Sequence, residues 1–455
     1  MKSYHKSLFI FRRDLRLTDN TALNAALSLS QQVMLVFIFD PRQIEPHPYQ
    51  SRPALQFMLE ALEDLQAQIA RQGGLLYFFH DRPEQVITHL QTEQQIQAVF
   101  VNRDYTPFSR RRDNDLRQLC SSLHLDFHSH ADLLLNEPEQ VLKSDATPYQ
   151  IFTAFYNRAR QNPVALPQSL TAGQFSVNYP MAGLTGPEQF KQAHGNALSG
   201  GSAAALAILE HTLPDCQNYS RQRDFPALAA TTSLSAYLKF GCCSIREAFY
   251  AILQNLGEEH ALLRQLYWRD FFTHIAFHFP RVFGHAFHAR FDAIPWENNA
   301  QNFRAWAHGR TGFPIVDAGM RELQQTGGMH NRARMITASF LVKDLHVSWR
   351  WGEQYFAQHL LDYDPCVNNG NWQWAASTGC DAQPYFRIFN PWLQQKKFDA
   401  DCRYIKQWLP ELRDLPAAAI HHWSGQIANI DYPRPIVDHA LQSQKIKAIY
   451  KNLTA

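Results

Sequence analysis

Short apolar runs alternate with helically spaced apolar positions over the first third of the chain. Ser7–Phe11, Val33–Phe39, Leu75–Phe79 and Ala98–Val101 are almost wholly apolar, the pattern of strands buried on both faces of a parallel sheet. Between the second and third, Arg52–Gln72 places Leu55, Met58, Leu59, Leu62, Leu65 and Ile69 on one helical face, and Gly73–Gly74 stops it. Ser109–Leu123 predicts a second amphipathic helix and Leu125–His128 a further strand. Strands alternating with helices predict an α/β domain, a doubly wound parallel sheet, over residues 1–135. Residues 136–198 carry Pro148, Pro163, Pro167, Pro180 and Pro187, which break regular structure apart from one helix at Pro148–Gln161; this predicts a long interdomain connector. From residue 199 to 455 the pattern is helical, with Leu234–Leu238, Ile245–Leu253, Ala261–Phe279, Met320–Gln325, Asn331–Leu345 and Gly352–Leu361 as candidate helices, so the C-terminal domain reads as all-α.

Composition narrows this picture. A hydrophobic content of 45% belongs to a globular chain. Aromatics at 13%, ten Trp among them, mean a large aromatic core, a flat cofactor or stacked bases. A net charge of +2 excludes a wholly basic nucleic-acid coat but not a local basic patch. Seven cysteines without a CxxC indicate neither a zinc site nor a disulfide framework, and Cys366, Cys380 and Cys402 lack iron–sulfur ligand spacing. No metal is expected, and the thiols read as free and buried. Without a signal peptide or an apolar run long enough for a bilayer, the expectation is a cytoplasmic protein with no membrane partner.

Candidate chemistry gathers in a few stretches. Arg12, Arg13 and Arg16 follow the first strand, where a role in holding the fold is favoured over ligand binding. Thr231, Thr232, Ser233 and Ser235 surround a helix start, which makes an anion site or an ordinary N-cap cluster. Trp268 and Arg269 are consecutive on a helix and face differently: a base-stacking ring with a phosphate contact, or a core Trp with a surface Arg. His330, Asn331, Arg332 and Arg334 crowd another helix start, and Asp362 is the natural carboxylate for Arg334. Tyr385, Phe386 and Arg387, with Gln394, Lys396 and Lys397, interleave aromatic and cationic groups as a nucleic-acid surface or a lid does. The densest stretch is Trp349–Pro391, which joins Trp349, Trp351, Trp372 and Trp374 to Asp362, Asp364, Asp381, Asn368, Asn369 and Asn371. Buried amides need partners, so this richness suggests a polar, ring-shaped ligand.

FRRDLRLTDN, NRDYTPF, YSRQRDFP, TTSLSAYLKFG, YWRDFF, GRTGFPIVDAGMRELQQTGGMHNRARMITASFLVKDL and NNGNWQWAASTGCDAQPYFRIFNP together resemble the DNA photolyase/cryptochrome family over nearly the whole chain. The part from Gly309 onward most resembles microbial photolyases acting on cyclobutane pyrimidine dimers. The resemblance implies an N-terminal antenna domain, a helical FAD- and DNA-binding domain, a second antenna chromophore of unknown identity, and a monomer that acts on UV-damaged DNA. In such enzymes photoexcited reduced FAD donates an electron to a flipped-out dimer and splits it. By motif, Tyr219, Thr231, Thr232, Ser233, Leu234 and Ser235 would hold the phosphate and ribityl part of FAD. Arg334, Asp362, Tyr363 and Asp364 would lie along the flavin, with Asn368 beside N5. Trp268, Trp374, Gln265, Asn331 and Met335 would meet the dimer, and Arg223, Arg269, Arg332 and Gln394 would contact the DNA or the dimer. Trp372, Trp349 and Trp306, in that order outward, would carry electrons. Three positions depart from the family pattern. Gln265 stands where dimer photolyases carry Glu, Gly328 replaces a bulky residue, and Ser109 replaces the Glu of folate binders, which leaves the antenna open. Signalling as a cryptochrome and repair of the (6-4) photoproduct, the latter argued from Gln265, are the alternatives.

Overall fold

Five segments pair side by side as parallel strands: β1 (Tyr4–Phe11), β2 (Ser30–Ile38), β3 (Leu76–Phe79), β4 (Ala98–Asn102) and β5 (Asp126–His130). Their order is β3-β2-β1-β4-β5, and a short β6 (Gln174–Phe175) pairs with β2. The computed structural model describes residues 2–180, 186–191, 195–426 and 429–454. Central β1 is buried from Ser7 to Phe11 and pairs Phe9 with Leu35 on one side and Phe100 on the other. Edge strand β5 is half-exposed and polar, as an edge with one neighbour allows. The sheet reverses its winding between β1 and β4, where α/β domains offer a crevice for ligands. The fold is thus an α/β domain with a parallel sheet, followed by a helical C-terminal part; among the described residues no strand follows Phe175.

The local signals have physical agents. The helix Arg52–Arg71 starts where Ser51 Oγ accepts the Ala54 N–H (3.1 Å) and stops before Gly73, whose φ is +73°. The expected Pro148–Gln161 helix is shorter, Phe152–Ala159. Further on, the helix Pro365–Ala376 opens with Asp364 accepting the N–H groups of Cys366 (2.9 Å) and Val367 (3.1 Å) and ends at Ser377, φ +59°.

Contacts gather the chain into two compact units. The first takes Met1–His194, Leu198–Gln217 and Thr232–His278; the second takes Gly195–Ala197, Asn218–Thr231 and Phe279–Ala455. Within the first, Arg13 and Arg16 after β1 tie the fold together. Arg16 pairs with Asp132 at 2.6 Å, Arg246 joins Asp19 (2.8 Å) and Asp132 (2.9 Å), and Arg13 Nε donates to the Lys239 carbonyl (3.1 Å). The core of the second is aromatic, with Trp306, Trp349 and Trp372 buried among Phe340, Leu341 and Phe356. Asp317 bolts its edge by accepting from Thr311 N–H (2.8 Å), Thr311 Oγ1 (2.7 Å), Gly312 N–H (2.9 Å) and the Tyr432 hydroxyl. None of the seven cysteines is in a disulfide. Among the described residues no helix is long and apolar enough to cross a membrane, and no His, Cys, Asp and Glu group is placed to hold a metal.

Candidate functional site

In the second unit the helix Asn331–Lys343 begins at His330, whose Nδ1 accepts the Arg332 N–H (3.1 Å). Burial, reinforced by Arg334, lowers the His330 pKa to about 4, so this imidazole is neutral at working pH and serves as a cap. One turn on, Arg334 Nη2 lies 3.0 Å from Asp362 Oδ2, and its Nε donates to the Met329 carbonyl (2.8 Å). The other oxygen, Asp362 Oδ1, is buried without a hydrogen-bond partner. A carboxylate oxygen left so is costly, and a ligand N–H or O–H would relieve it. The residues therefore fit a polar ring at this place.

The amide-rich helix Pro365–Ala376 divides its amides between two tasks. Asn368 is buried and its Nδ2 is committed to the Glu353 carbonyl (3.1 Å) and Oε1 (3.2 Å). Asn369 and Gln373 do not face a ligand. Asn369 Nδ2 donates to the Val282 carbonyl (3.0 Å). Gln373 Nε2 donates to Val282 (3.1 Å) and His285 (3.0 Å) carbonyls, and its Oε1 accepts the Phe287 N–H (2.8 Å). They bolt the 282–287 loop along one side of the helix. Exposed Asn371 merely bonds back to the Val367 carbonyl (2.8 Å). Tyr363 is half-buried against the aromatic core, and Asp364 is the helix cap already described.

Trp372 and Trp374 are two residues apart on this helix, roughly 200° around its axis. Trp372 is buried in the core, whereas Trp374 is half-exposed, 6.4 Å from the ring of Phe389. The expected outward order Trp372, Trp349, Trp306 does not describe the structure. Trp306 is 0% exposed and meets Trp372 directly, with ring centres 6.2 Å apart, so it cannot be the surface end. Trp296, which the sequence reading passed over, is half-buried and packs on the same core. Two bonds tie its segment to that of Trp349: Glu297 N–H to the His346 carbonyl (2.9 Å) and Ser348 N–H to Asn298 Oδ1 (2.8 Å). Trp296 lies in irregular chain, where no periodicity marks a residue.

Asn331 and Met335 stand one turn apart on the more open side of their helix, Nδ2 to Sδ 3.7 Å. Arg332 differs from its expected place on DNA. It pairs with Asp224 at 2.7 Å, lies over the ring of Phe398 (4.3 Å) and is only 14% exposed. Arg223 is half-buried over the Tyr219 ring (5.7 Å), and Gln394 is half-buried with Oε1 unpartnered. Thr231 is half-buried in this unit as well.

In the first unit, Thr232 Oγ1 accepts the Leu234 N–H (3.4 Å). Ser233 and Ser235 are exposed, and the Ser233 side chain makes no capping bond to the helix Leu234–Phe240. On the helix Ala261–His278, Trp268 stacks flat on Phe152, with centres 3.6 Å apart and planes at 7°; Phe152 in turn lies under the guanidinium of Arg264 (5.2 Å). Phe152 was not foreseen, and its only signal is its place at the start of a helix also carrying Tyr156. Gln265 is half-buried, with Nε2 3.5 Å from the Ala261 carbonyl. Arg269 also departs from expectation: it donates to the carbonyls of Leu133 and Leu238 and so clamps the fold rather than presenting itself to a phosphate.

Residues 7–171 match the family described as DNA photolyase, and residues 262–452 match the FAD binding domain of DNA photolyase. The chain is 39% identical to a deoxyribodipyrimidine photo-lyase of Synechococcus sp., over 98% of this chain and 97% of that one. The fold is similar to that of an archaeal photolyase from Sulfolobus tokodaii, solved with two FAD molecules, at 42% identity and a TM-score of 0.90, covering 98% of this chain and all of the other. A cryptochrome of Synechocystis sp. is similar at 29% identity and a TM-score of 0.89, covering 99% of this chain and 100% of that one.

Proposed function

The chain belongs to the DNA photolyase family, and on that premise we propose that it uses light to split cyclobutane pyrimidine dimers in UV-damaged DNA, with FAD as cofactor. The observation that carries this reading is the Arg334–Asp362 pair, in which the arginine is half-buried and one carboxylate oxygen is buried without a donor. A flavin ring N–H is such a donor, and the family match supplies the FAD-binding domain around it. When bound and reduced, FAD supplies the excited electron that opens the cyclobutane ring and receives it back. The residues of this chain orient and supply. Asp362 and Arg334 fix the ring, and Asn368, held by Glu353, sets the polarity beside it. Tyr219, Thr231, Tyr363 and Asp364 contribute to holding the cofactor. Trp374, Asn331 and Met335, on open faces of their helices, receive the dimer after it leaves the duplex, a step that damage-weakened pairing makes cheaper.

Electrons enter from the Trp296 side and pass through Trp349 to Trp372. A second chromophore fits the crevice of the first unit. There Arg12 (2.8 Å) and Arg112 (3.0 Å) share the single carboxylate of Asp113, and the Nη2 of each is buried without a partner. Two cations on one anion leave room for an anionic group, as a flavin nucleotide carries. In this reading residues 1–135 form the antenna domain, 136–198 the connector and 199–455 the FAD- and DNA-binding part, working as a cytoplasmic monomer. Gln265 supports a second reading, repair of (6-4) photoproducts, because Gln donates and accepts but supplies no carboxyl proton.

One experiment tests both. Chemically reduced protein is illuminated with blue light on DNA carrying thymine dimers, and dimer loss is followed by chromatography. Persistence of dimers in both single- and double-stranded DNA sinks the first reading. Repair of (6-4) lesions alone establishes the second.

A further inference from the structure

One peptide group beside the Arg334–Asp362 pair is held from both sides. The Met329 carbonyl accepts Arg334 Nε (2.8 Å), and the N–H of the same peptide, on His330, donates to Glu322 Oε2 (3.1 Å). The cation on one side goes on to Asp362 (3.0 Å), and the carboxylate on the other accepts the Tyr404 hydroxyl (2.5 Å). A continuous line thus joins Asp362, Arg334, the Met329–His330 peptide, Glu322 and Tyr404. A peptide group is planar, so the clamps on its two ends act on one rigid body. The turn before it is fastened as well: the Gly327 carbonyl accepts the Leu361 N–H (2.8 Å), next to Asp362.

The chemistry of the two outer groups gives the line a direction. Tyr404 is 2% exposed, and burial together with the Glu322 carboxylate keeps its phenol protonated, so Tyr404 donates and Glu322 accepts. Burial raises the Glu322 pKa, while the Tyr404 hydroxyl, the His330 N–H and the Arg334 charge oppose the rise. All three of these groups favour the carboxylate. Glu322 lies on the helix Pro314–Thr326, Tyr404 on Arg403–Trp408 and Arg334 on Asn331–Lys343, so three helices meet at one anion. Apolar side chains join helices without the desolvation of a charge, so packing alone does not explain a carboxylate here. Hydrogen bonds aligned head to tail polarise one another, and charge at Glu322 is therefore felt at Arg334.

We propose that Glu322, held by Tyr404, is a positioning residue of the cofactor site: through the Met329–His330 peptide it fixes the Arg334 guanidinium on Asp362 and offsets part of its positive charge, which lowers the reduction potential of bound flavin. The proposal rests on the FAD reading above. Glu322 has its partners within the protein and acts on the flavin only through Arg334. An arginine without this second anion would favour the added negative charge of reduced flavin more strongly. Glu322 moderates that pull, and a reduced flavin held less deeply is the better electron donor.

The test is a redox titration of the FAD-loaded protein at pH 8, with flavin content and melting temperature measured first. Glu322→Gln keeps an acceptor for His330 and Tyr404 and removes only the charge; its midpoint potential is expected to rise while its flavin content stays near that of wild type. Tyr404→Phe removes the donor and leaves the charge less offset, so its potential is expected to fall. The double variant should match Glu322→Gln, because an amide gives Tyr404 no charge to offset. If Glu322→Gln loses its flavin, Tyr404→Phe, which lacks a single oxygen, decides alone. Wild-type potentials in the single variants, shifts of both in the same direction, or loss of flavin from both overturns the proposal and reduces the pair to a brace between helices. Failure of wild-type protein to hold FAD, or to repair dimers after dithionite reduction, overturns the function itself and is read separately.

Discussion

Gly352 lies directly beneath the indole of Trp372: a Cβ at residue 352 would sit 2.1 Å from Cη2 and 2.4 Å from Cζ3. The helices Trp349–His359 and Pro365–Ala376 approach this closely only because residue 352 has no side chain. Gly352→Ala should therefore push Trp372 off its seat and destabilise the protein by about 1–3 kcal/mol. Thermal unfolding and tryptophan fluorescence report the two effects; an unshifted melt with native fluorescence would show that the indole can yield.

Arg334 is the sole ion-pair partner of buried Asp362 among the described residues. Arg334→Met should leave that carboxylate without its cation, at a cost of about 1–3 kcal/mol. The purified variant should carry markedly less FAD, measured as the ratio of flavin to protein absorbance. Full flavin occupancy with an unchanged melting temperature would remove Asp362 from the cofactor site.

In the proposed function, electrons reach the flavin through Trp372. Trp372→Phe should slow light-driven reduction of bound, oxidised FAD far more than it slows repair by chemically reduced enzyme. Flash absorption measures the first and dimer loss the second. Equal losses would mean that the indole shapes the site instead of conducting.

The pH dependence follows from His330, whose folded pKa is about 4 against an unfolded value of 6.5. The unfolded state takes up this proton first as pH falls. Stability is thus lost between about pH 6.5 and 4, on the order of 2–3 kcal/mol for this group, and is flat above. His330→Asn keeps a capping acceptor and removes the titration. Denaturant unfolding at pH 7 and 4.5 should show a smaller acid loss in the variant, and an identical loss would place the acid sensitivity elsewhere.

The logarithm of the affinity for undamaged duplex should fall linearly with log salt, with a slope of about −0.9 for each phosphate neutralised. Arg332→Ala should leave that slope unchanged, because its charge is spent on Asp224. A shallower slope by about one unit would return Arg332 to the DNA surface.

These contrasts show where sequence is informative. The strands of the first unit were legible because burial on both faces writes unbroken apolar runs such as Val33–Phe39. The divergence of Trp372 and Trp374 follows from helical arithmetic alone. The fate of a polar side chain was not legible, since it depends on which neighbour tertiary packing brings near. Asn368 and Asn369 are adjacent and alike in the sequence, yet one is held by Glu353 and the other by a loop carbonyl. Arg269 and Arg332 suit carbonyls and carboxylates as well as phosphates, and local sequence does not choose among them. Trp306 looked like a surface ring because nothing in its spacing records that Trp372 lies against it.

The bolting of Asn369 and Gln373 to the 282–287 loop makes the helix Pro365–Ala376 intolerant of insertion and deletion. Removing one residue between Asn368 and Trp372 would turn everything after it by about 100°. Gln373 would lose its three backbone partners and turn into the core seat of Trp372, Trp372 would leave Gly352, and Trp374 would turn onto the 282–287 loop. Length here is as constrained as composition: this helix should accept changes of residue at exposed Asn371 while rejecting any change in count, so that homologous chains vary by substitution within it and by insertion only beyond Ser377.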